Sequence, residues 1–325
     1  MYLTSGLTAS DNQKKVAPLE RIDVFLRHNR IRSIRSTALS RCPSGVEAFG
    51  GICDGEFITG GSDGIFIYDK NQDNWVKISG LDSIRDNTSS YCMIGNNKML
   101  LTGGSFAYGN LHASQRSGIC APAAEVIELH TQYSRNSNNL DLNKSHLVSR
   151  ICYTRLPVPL INHSVTQVAK HKIIVVGGII HGNGNATNRV FAGEFSIDDA
   201  QSIQWKELEP LEIPRYGHLS FRLGSFLYVA GGVGRNEKLI SSCEVYNINE
   251  NKWQYGNNHL PYPLSRSSVV TDSQEKFALI CGGEAYFKGW ASSNVIIFTK
   301  EDGFYVFDDF SLQSRRYGHI AGRIE

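Results

Sequence analysis

The chain has 325 residues, a formal net charge of +2 at pH 7 and a hydrophobic content of 41%. A charge so close to zero gives no sign of a nucleic-acid partner, and no apolar run reaches the roughly 20 residues that a membrane-spanning helix needs. A chain of this length and composition can form a single all-β domain with a substantial core.

Short apolar runs that end in a pair of glycines recur along the chain and predict its architecture. The pairs are Gly60 and Gly61, Gly103 and Gly104, Gly177 and Gly178, Gly231 and Gly232, and Gly282 and Gly283. Their first members are 43, 74, 54 and 51 residues apart, and a β-rich unit that repeats at about 50 residues is typical of a radial repeat fold. Each unit therefore predicts a four-stranded antiparallel blade, with strands a to d running from the centre outwards.

An aromatic residue follows each glycine pair on the predicted fourth strand. These residues are Trp75, Trp205, Trp253 and, in the fifth unit, Phe304, while Tyr153 takes the position in the second unit. We expect the large side chains to be buried between adjacent blades, where they supply packing area. We expect the glycines to allow positive φ angles and a close approach of neighbouring strands, so both sets receive structural roles.

The two ends of the chain together contain the strands of one more blade. Ser5 and Gly6 resemble a degenerate glycine pair, and the runs Arg21–Leu26 and Arg30–Ile34 predict strands c and d. The segment Arg316–Ile324 is similar to the start of strand a in an earlier unit. We therefore predict a six-bladed β-propeller over residues 1–325, in which the C-terminus supplies strand a of the last blade and the N-terminus supplies strands b to d.

With its glycine pairs and spaced aromatic residues, the chain resembles the Kelch family of β-propellers, within the superfamily of the galactose-oxidase-like central domain. The resemblance extends over nearly the whole sequence. It implies a propeller that binds another protein through its loops. Kelch relatives often carry further domains, and six blades leave no room for one here, so we expect any such partner to be a separate chain.

The cysteines and the N-terminus predict a reducing compartment. The seven cysteines are scattered and form no Cys-x-x-Cys motif, which favours buried free thiols over disulfides. The first residues lack a basic stretch followed by an apolar one, so no signal peptide is expected. A cytoplasmic or nuclear location follows as the expectation.

One face of the predicted propeller gathers arginines and aromatic residues, because the d–a connections and the b–c loops open on the same side. Arginine binds carboxylate or phosphate in a bidentate way, and Tyr, Trp and Arg dominate interface energetics. We therefore predict a protein partner with an acidic or phosphorylated segment. The candidate partner-binding residues are Tyr108, Arg215, Tyr216, His218, Arg235, Arg266, Tyr286, Phe287, Trp290, Arg316, Tyr317 and His319.

Several of these residues also have a structural interpretation. His163, His218 and His319 recur at one repeat position, which is typical of a hydrogen bond between blades. The arginines can alternatively form ion pairs inside the propeller. Residues 130–150, rich in Asn and Ser, predict an insertion between strands c and d of the second blade, either inert or used for docking.

Catalytic motifs are missing from the sequence: it has no phosphate loop, no His-Glu-x-x-His and no Cys/His spacing for zinc. We therefore predict a protein-binding scaffold or recognition module, not an enzyme, with no cofactor and no metal. The alternative is an accessory propeller of an enzyme, for example a tRNA-modifying methyltransferase. A propeller enzyme such as an oxidase or an epimerase is the third interpretation.

Overall fold

The computed structural model describes residues 2–3, 7–8, 15–16, 19–27, 30–43, 47–61, 64–79, 88–95, 97–104, 123–130, 145–181, 184–196, 199–286 and 290–323. The elements in these ranges are β-strands and one short 3-10 helix, Arg235–Glu237. No helix among them is long and apolar enough to cross a membrane. The N-terminal strands are β1 (Tyr2–Leu3), β2 (Leu7–Thr8), β3 (Lys15–Val16), β4 (Glu20–Arg27) and β5 (Arg30–Ala38).

Five blades follow along the chain, each from one continuous segment. The first contains β6 (Glu47–Cys53), β7 (Glu56–Gly61), β8 (Gly64–Asp69) and β9 (Asn74–Ser79). The second contains β10 (Ser90–Met93), β11 (Lys98–Thr102), β12 (Ala123–His130) and β13 (His146–Arg155). The third is built around β14 (Leu160–Ile161), β15 (Ser164–Ala169), β16 (Lys172–Val176), β17 (Ile179–Ile180), β18 (Val190–Glu194) and β19 (Gln204–Leu208).

The fourth blade contains β20 (Leu219–Leu223), β21 (Phe226–Ala230), β22 (Ser242–Asn247) and β23 (Lys252–His259). The fifth contains β24 (Ser268–Thr271), β25 (Phe277–Cys281), β26 (Glu284–Tyr286), β27 (Trp290–Thr299) and β28 (Gly303–Arg316), and β29 (Ala321–Gly322) ends the chain. In each of the five blades the strands a to d pair antiparallel in sequence order; β26 is an extra short strand beside β27.

The two chain ends meet in a further sheet, whose strand order is β29, β1, β4, β5. Tyr2 pairs with Gly322 on one side and with Arg21 on the other. The innermost strands contact one another in the cyclic order β6, β10, β15, β20, β24, β29 and back to β6. The all-β propeller is therefore confirmed, but it has five blades, so the prediction of six was wrong. In place of a sixth blade the chain ends form only this composite sheet, in which β29 and β1 have two residues each. Ser5 and Gly6 lie outside the described residues.

Apolar side chains of neighbouring blades meet in the spaces between the sheets. Leu100 of the second blade shares one cluster with Ile173 and Phe191 of the third. Leu219 of the fourth blade shares another with Ile280 of the fifth. The core is thus divided into layers between blades, because each sheet is buried on both faces.

The glycine pairs let one blade pack against the start of the next. The later four pairs follow strand b directly, and all eight of these glycines have positive φ angles. A Cβ at Gly177 would lie 2.6 Å from the carbonyl oxygen of Arg215 and 2.9 Å from Cε1 of His218, at the start of the fourth blade. Gly60 departs from the pattern, since it pairs inside β7 and the ring of Phe49 fills the space beside it.

Two tryptophans of strand d anchor their blades to the preceding sheet. The indole nitrogen of Trp75 donates to the carbonyl oxygen of Ser40 at 3.2 Å, and that of Trp253 donates to Glu209 at 2.7 Å. Both acceptors lie on the connection that leaves the preceding sheet. The structural role predicted for these residues is confirmed, and Trp205 and Phe304 likewise pack against the clusters between blades.

The second blade lacks this anchor, and the role predicted for Tyr153 was wrong. Ile127 of β12 is the cross-strand partner of Ser149, in the place where Tyr246 of β22 faces Trp253. Tyr153 lies four residues beyond Ser149, and 77% of it is exposed. The long β12–β13 hairpin moves the aromatic residue out of register with the repeat.

Candidate functional site

The candidate site is a cavity at one mouth of the central channel, where the d–a connections enter the inner strands. Its volume is about 510 Å³, and we call it the mouth cavity. Its polar lining is dominated by hydroxyl groups, those of Thr88, Ser89, Ser90, Ser164, Ser220, Ser267, Ser268 and Tyr317. Such a surface offers hydrogen bonds from several blades to one guest.

A belt of backbone hydrogen bonds forms the rim of this cavity. Asn162 N–H donates to the oxygen of Thr88 at 2.8 Å, and Gly217 N–H donates to Asn162 at 2.8 Å. The backbone N–H of Arg266 donates to the carbonyl oxygen of Gly217 at 2.7 Å, and that of Gly318 donates to the carbonyl oxygen of Arg266 at 2.8 Å. From Asn162 onward each rim residue has a left-handed backbone, with φ between 51° and 60°. Successive blades are therefore joined at the rim by their main chains.

Arg266 provides the positive charge of the mouth cavity. It is exposed and stands at φ 51°, a conformation that costs a residue with a Cβ about 1 kcal/mol. Within the described part of the chain its guanidinium has no ion pair and no hydrogen bond. The described residues that line the cavity include no Asp and no Glu. The side chain is therefore available to an anionic guest.

Tyr216 lies next to this arginine on the same face. It bridges to Val233 of a b–c loop, which confirms that d–a connections and b–c loops share one side. Burial raises the pKa of Tyr216, nearby Glu237 raises it further, and Arg266 opposes the change. The phenol therefore stays protonated and can donate a hydrogen bond.

The other two arginines of the prediction are structural, so their assignment to partner binding was wrong. Arg215 is fully buried, and its guanidinium contacts Glu244 of β22 at 2.7 Å. It also donates to the carbonyl oxygens of Gly231 at 3.0 Å and Ser242 at 2.9 Å. Desolvation lowers the pKa of Arg215, and the charge of Glu244 raises it. The side chain of Arg215 is therefore buried in contacts within the propeller and is not accessible to a partner.

Arg316 repeats this arrangement at the composite sheet. Its guanidinium contacts Glu20 of β4 at 2.7 Å, and both side chains are fully buried. The other carboxylate oxygen of Glu20 accepts a bond from the backbone N–H of Gln313 at 3.0 Å. The pair ties the fifth blade to the sheet that holds both chain ends.

Two histidines of the repeat position, His163 and His218, connect blades, so His218 was also wrongly assigned to partner binding. His218 Nε2 lies 2.8 Å from the hydroxyl of Ser164, and His163 Nε2 lies 2.8 Å from that of Thr102. Burial lowers the pKa of His218 to about 3 and holds that of His319 well below its usual range. Both ring nitrogens of His319 are closed off from solvent. The interpretation of these residues as links between blades is confirmed for His163 and His218.

The remaining candidates differ in how much the structure describes. Tyr317 is half-buried at the mouth cavity, and Arg235 is exposed on the 3-10 helix of the b–c loop. Tyr286 and Trp290 are cross-strand partners in the backbone of β26 and β27. Tyr108, Phe287 and residues 131–144 of the predicted insertion lie outside the described residues.

The thiols have the state that the sequence predicts. Cys53, Cys92, Cys243 and Cys281 are free, and burial raises the pKa of each to about 12. At neutral pH they remain protonated and unreactive.

Comparisons with known proteins agree with this geometry. A family model described as Kelch motif matches residues 214–259, which span the fourth blade. Kelch-like protein 40 of Mus musculus is 28% identical over 165 residues, 48% of this chain and 25% of that protein. Kelch-like protein terF of Aspergillus terreus is 23% identical over 209 residues, 63% of this chain and 40% of that protein.

A solved structure, that of YjhT, has the same fold, with a TM-score of 0.66 and 16% identity. The match covers 94% of this chain and 97% of YjhT. The first curated relatives are much longer than the part matched, which spans 20–25% of their length.

Proposed function

Because the chain is a Kelch-repeat β-propeller, we propose that it is a protein-binding module that holds an acidic or phosphorylated segment of its partner in the mouth cavity. Kelch-repeat proteins generally bind other proteins. The segment enters the cavity from the face that carries the d–a connections. A cytoplasmic or nuclear location accompanies the proposal.

The observation that carries the proposal is the isolated charge of Arg266. Arg266 has an exposed guanidinium and a left-handed backbone, and this backbone conformation costs energy in a residue with a Cβ. Such strained residues are typical of functional positions. Guanidinium groups bind carboxylate and phosphate through two parallel hydrogen bonds. The surrounding hydroxyl groups supply further donors, and no described acid of the lining competes for the charge.

The rim around this arginine suits a peptide. Tyr216 and Tyr317 are half-buried, so each offers a ring face and a hydroxyl group to a bound chain. Arg235 is exposed on the neighbouring loop and provides a second positive charge for a longer acidic segment. Aromatic residues and arginine are the types that contribute most to interface energies.

The proposal assigns no catalysis to the cavity. His218 and His319 are neutral and buried, and the ring nitrogens of His319 do not reach the solvent of the cavity. Neither imidazole can exchange a proton with a guest in this arrangement. Turnover of a small molecule that disappears in the Arg266→Gly variant would contradict a purely binding role.

A matched set of peptides tests the proposal. Fluorescent peptides of one sequence carry Ser, Glu or phosphoserine at the central position, and fluorescence anisotropy measures their dissociation constants. We expect the Glu and phosphoserine peptides to bind more tightly than the Ser peptide, and Arg266→Gly to weaken them at least tenfold. Glycine accepts the backbone of position 266, so the variant stays folded.

Arg150→Gly provides the control, since Arg150 is an exposed arginine on the outer strand β13. It should leave all three dissociation constants unchanged. Equal binding of the three peptides, or full binding to Arg266→Gly, would overturn the proposal.

We further infer that the composite sheet closes the ring between the fifth blade and the first. Its strand order is that of the other blades, and β29 contacts both β24 and β6. The buried pair of Arg316 and Glu20 supports the same closure. Truncation of the C-terminus tests it, as described in the Discussion.

A further inference from the structure

The β4–β5 hairpin carries a concentration of positive charge. Residues 20–41 contain six arginines and two acidic residues, whereas the whole chain has a net charge of only +2. One of the two acids, Glu20, is buried against Arg316. The other, Asp23, binds Arg21 at 3.3 Å. No acid within residues 20–41 is therefore left to neutralise Arg32, Arg35 or Arg41.

Two large apolar side chains are exposed near the end of the same hairpin. Phe25 is 45% exposed and Leu26 is 51% exposed, and they are neighbours in the sequence. The register shifts between them, so that Phe25 pairs with Ser33 and Leu26 with Ile31. Consecutive residues of a strand point to opposite faces, so an exposed apolar side chain lies on each face of the hairpin here.

The arginines surround these apolar side chains. Arg32 is the extra residue at the register shift and is exposed. The guanidinium of Arg35 lies 5.4 Å from the centre of the Phe25 ring, and this residue is also exposed. Neither arginine has an ion pair among the described residues.

We propose that the β4–β5 hairpin docks the propeller on a membrane surface rich in anionic phospholipids. Phe25 and Leu26 enter the interfacial layer, while Arg32 and Arg35 contact lipid phosphates. In a phospholipid membrane the phosphates lie above the acyl chains. Exposed apolar residues with arginines beside them can therefore contact both layers at once.

Other anionic partners fit these residues less well. A base of single-stranded RNA would stack on an open aromatic face, and Arg35 already covers a face of Phe25. An acidic peptide would need a groove at the exposed apolar residues. Phe25 and Leu26 lie near the end of β4 that is remote from Glu20, whose partner Arg316 is on a d–a connection, so the membrane contact leaves the mouth cavity free for a partner. The proposal does not depend on the proposed function of that cavity.

Vesicle sedimentation tests the proposal. The whole chain is incubated with vesicles of phosphatidylcholine alone or mixed with phosphatidylserine, at low and high salt. We expect binding only to the mixed vesicles and a marked loss at high salt. Arg32→Ala with Arg35→Ala should weaken binding about 25-fold, since one cation near an anionic surface contributes about fivefold. Phe25→Ser with Leu26→Ser should weaken it at both salt concentrations.

A matched control uses the other exposed apolar pair, Ile151 and Tyr153 on β13, which arginines also flank. Ile151→Ser with Tyr153→Ser should leave vesicle binding unchanged, as should Arg266→Gly. The substituted side chains of the hairpin are exposed, so we expect the variants to stay folded, and unchanged melting curves verify this.

Several results would overturn the proposal. Equal binding to neutral vesicles would remove the role of the arginines, and an equal loss in the β13 control would remove the role of the hairpin. Binding to polyglutamate or to an RNA oligonucleotide, without binding to mixed vesicles, would assign the hairpin to a different class of partner. No binding to any probe would also contradict the proposal.

Discussion

The buried ion pair of Arg215 and Glu244 makes the strongest prediction about stability. In Arg215→Ala, the guanidinium that now contacts Glu244 at 2.7 Å is lost. The carboxylate remains buried and still accepts backbone N–H bonds from Glu212 at 2.7 Å and Ile213 at 3.2 Å. The charge of Glu244 then has no counter-charge. The carbonyl oxygens of Gly231 and Ser242 also lose the hydrogen bonds that Arg215 donates to them.

Removal of one partner of a buried pair costs about 3–5 kcal/mol, because it leaves an uncompensated charge. Typical free energies of unfolding are about 5–15 kcal/mol, so the substitution consumes a large part of the total. We expect Arg215→Ala to lower the urea midpoint strongly and to lower the extrapolated free energy of unfolding by about 3 kcal/mol or more. Circular dichroism and tryptophan fluorescence should report one transition.

Arg266→Ala is the matched control, since the two arginines lie on equivalent connections and only Arg215 is buried and paired. The control should change the free energy of unfolding by less than about 1 kcal/mol, as exposed substitutions usually do. If Arg215→Ala proved no more destabilising than Arg266→Ala, the buried pair would have no role in holding the ring together.

Three further predictions concern the glycines, the histidines and the closure of the ring. Gly177→Ala should lower the free energy of unfolding by more than 2 kcal/mol, whereas Gly184→Ala, with φ 68° and no atom within 4 Å of its Cβ, should cost only about 1 kcal/mol in urea titrations. Because the pKa of His218 falls to about 3 on folding, this residue binds a proton only in the unfolded chain between about pH 6.5 and 3; its contribution to stability is constant above pH 6.5 and falls by about 1.4 kcal/mol per pH unit below it. Since burial lowers the pKa of His319 in the same way, His218→Gln should reduce the slope of stability against pH by about 1.4 kcal/mol per pH unit in denaturation curves at pH 7, 6 and 5, and an unchanged slope would show that His218 does not contribute to it. Deletion of residues 316–325 should lower the melting temperature, deletion of 324–325 should not, and equal melting temperatures would contradict closure by the C-terminal strand.

Much of the fold could be predicted because the repeat constrains local and global structure together. The later four glycine pairs mark positions where a Cβ would collide with the next blade, so their spacing reports the blade pattern. The tryptophans mark the outer strands for a similar reason. The prediction failed at Tyr153 of the second blade, which does not take the place of the tryptophan. An insertion in the β12–β13 hairpin shifts residues along the strand without changing the apolar alternation.

The burial of two arginines was harder to predict, although the sequence holds a trace of it. In two places an arginine on the connection occurs with a glutamate on strand c of the following sheet, and apolar residues take both places in the third and fifth blades. The pairs are Arg215 with Glu244, Arg316 with Glu20, Leu160 with Phe191, and Leu264 with Ile296. The charged residues are thus exchanged as pairs, which a position-by-position reading of the connections does not reveal.

The candidate site could be predicted only in outline. The face was evident from the topology, and Arg266 was among its residues. Its distinction from Arg215 and Arg316 depends on a difference of two positions in register: Arg266 occupies the place of Gly217 and Gly318, whereas Leu264 occupies the place of Arg215 and Arg316. A shift of two residues between otherwise similar connections decides whether an arginine is buried in an ion pair or exposed.

At the rim of the mouth cavity, the main chain joins the blades, whereas the side chains face the cavity. Asn162, Gly217, Arg266 and Gly318 differ in side chain, yet they share one backbone conformation and one pattern of main-chain hydrogen bonds. Since the main chain alone joins the blades there, a substitution at these positions alters what the cavity can recognise with little effect on the fold. Asparagine at 217 or 318 would add an amide to the rim in a conformation that this residue tolerates. Change of partner specificity during evolution, or by design, can therefore proceed one rim position at a time.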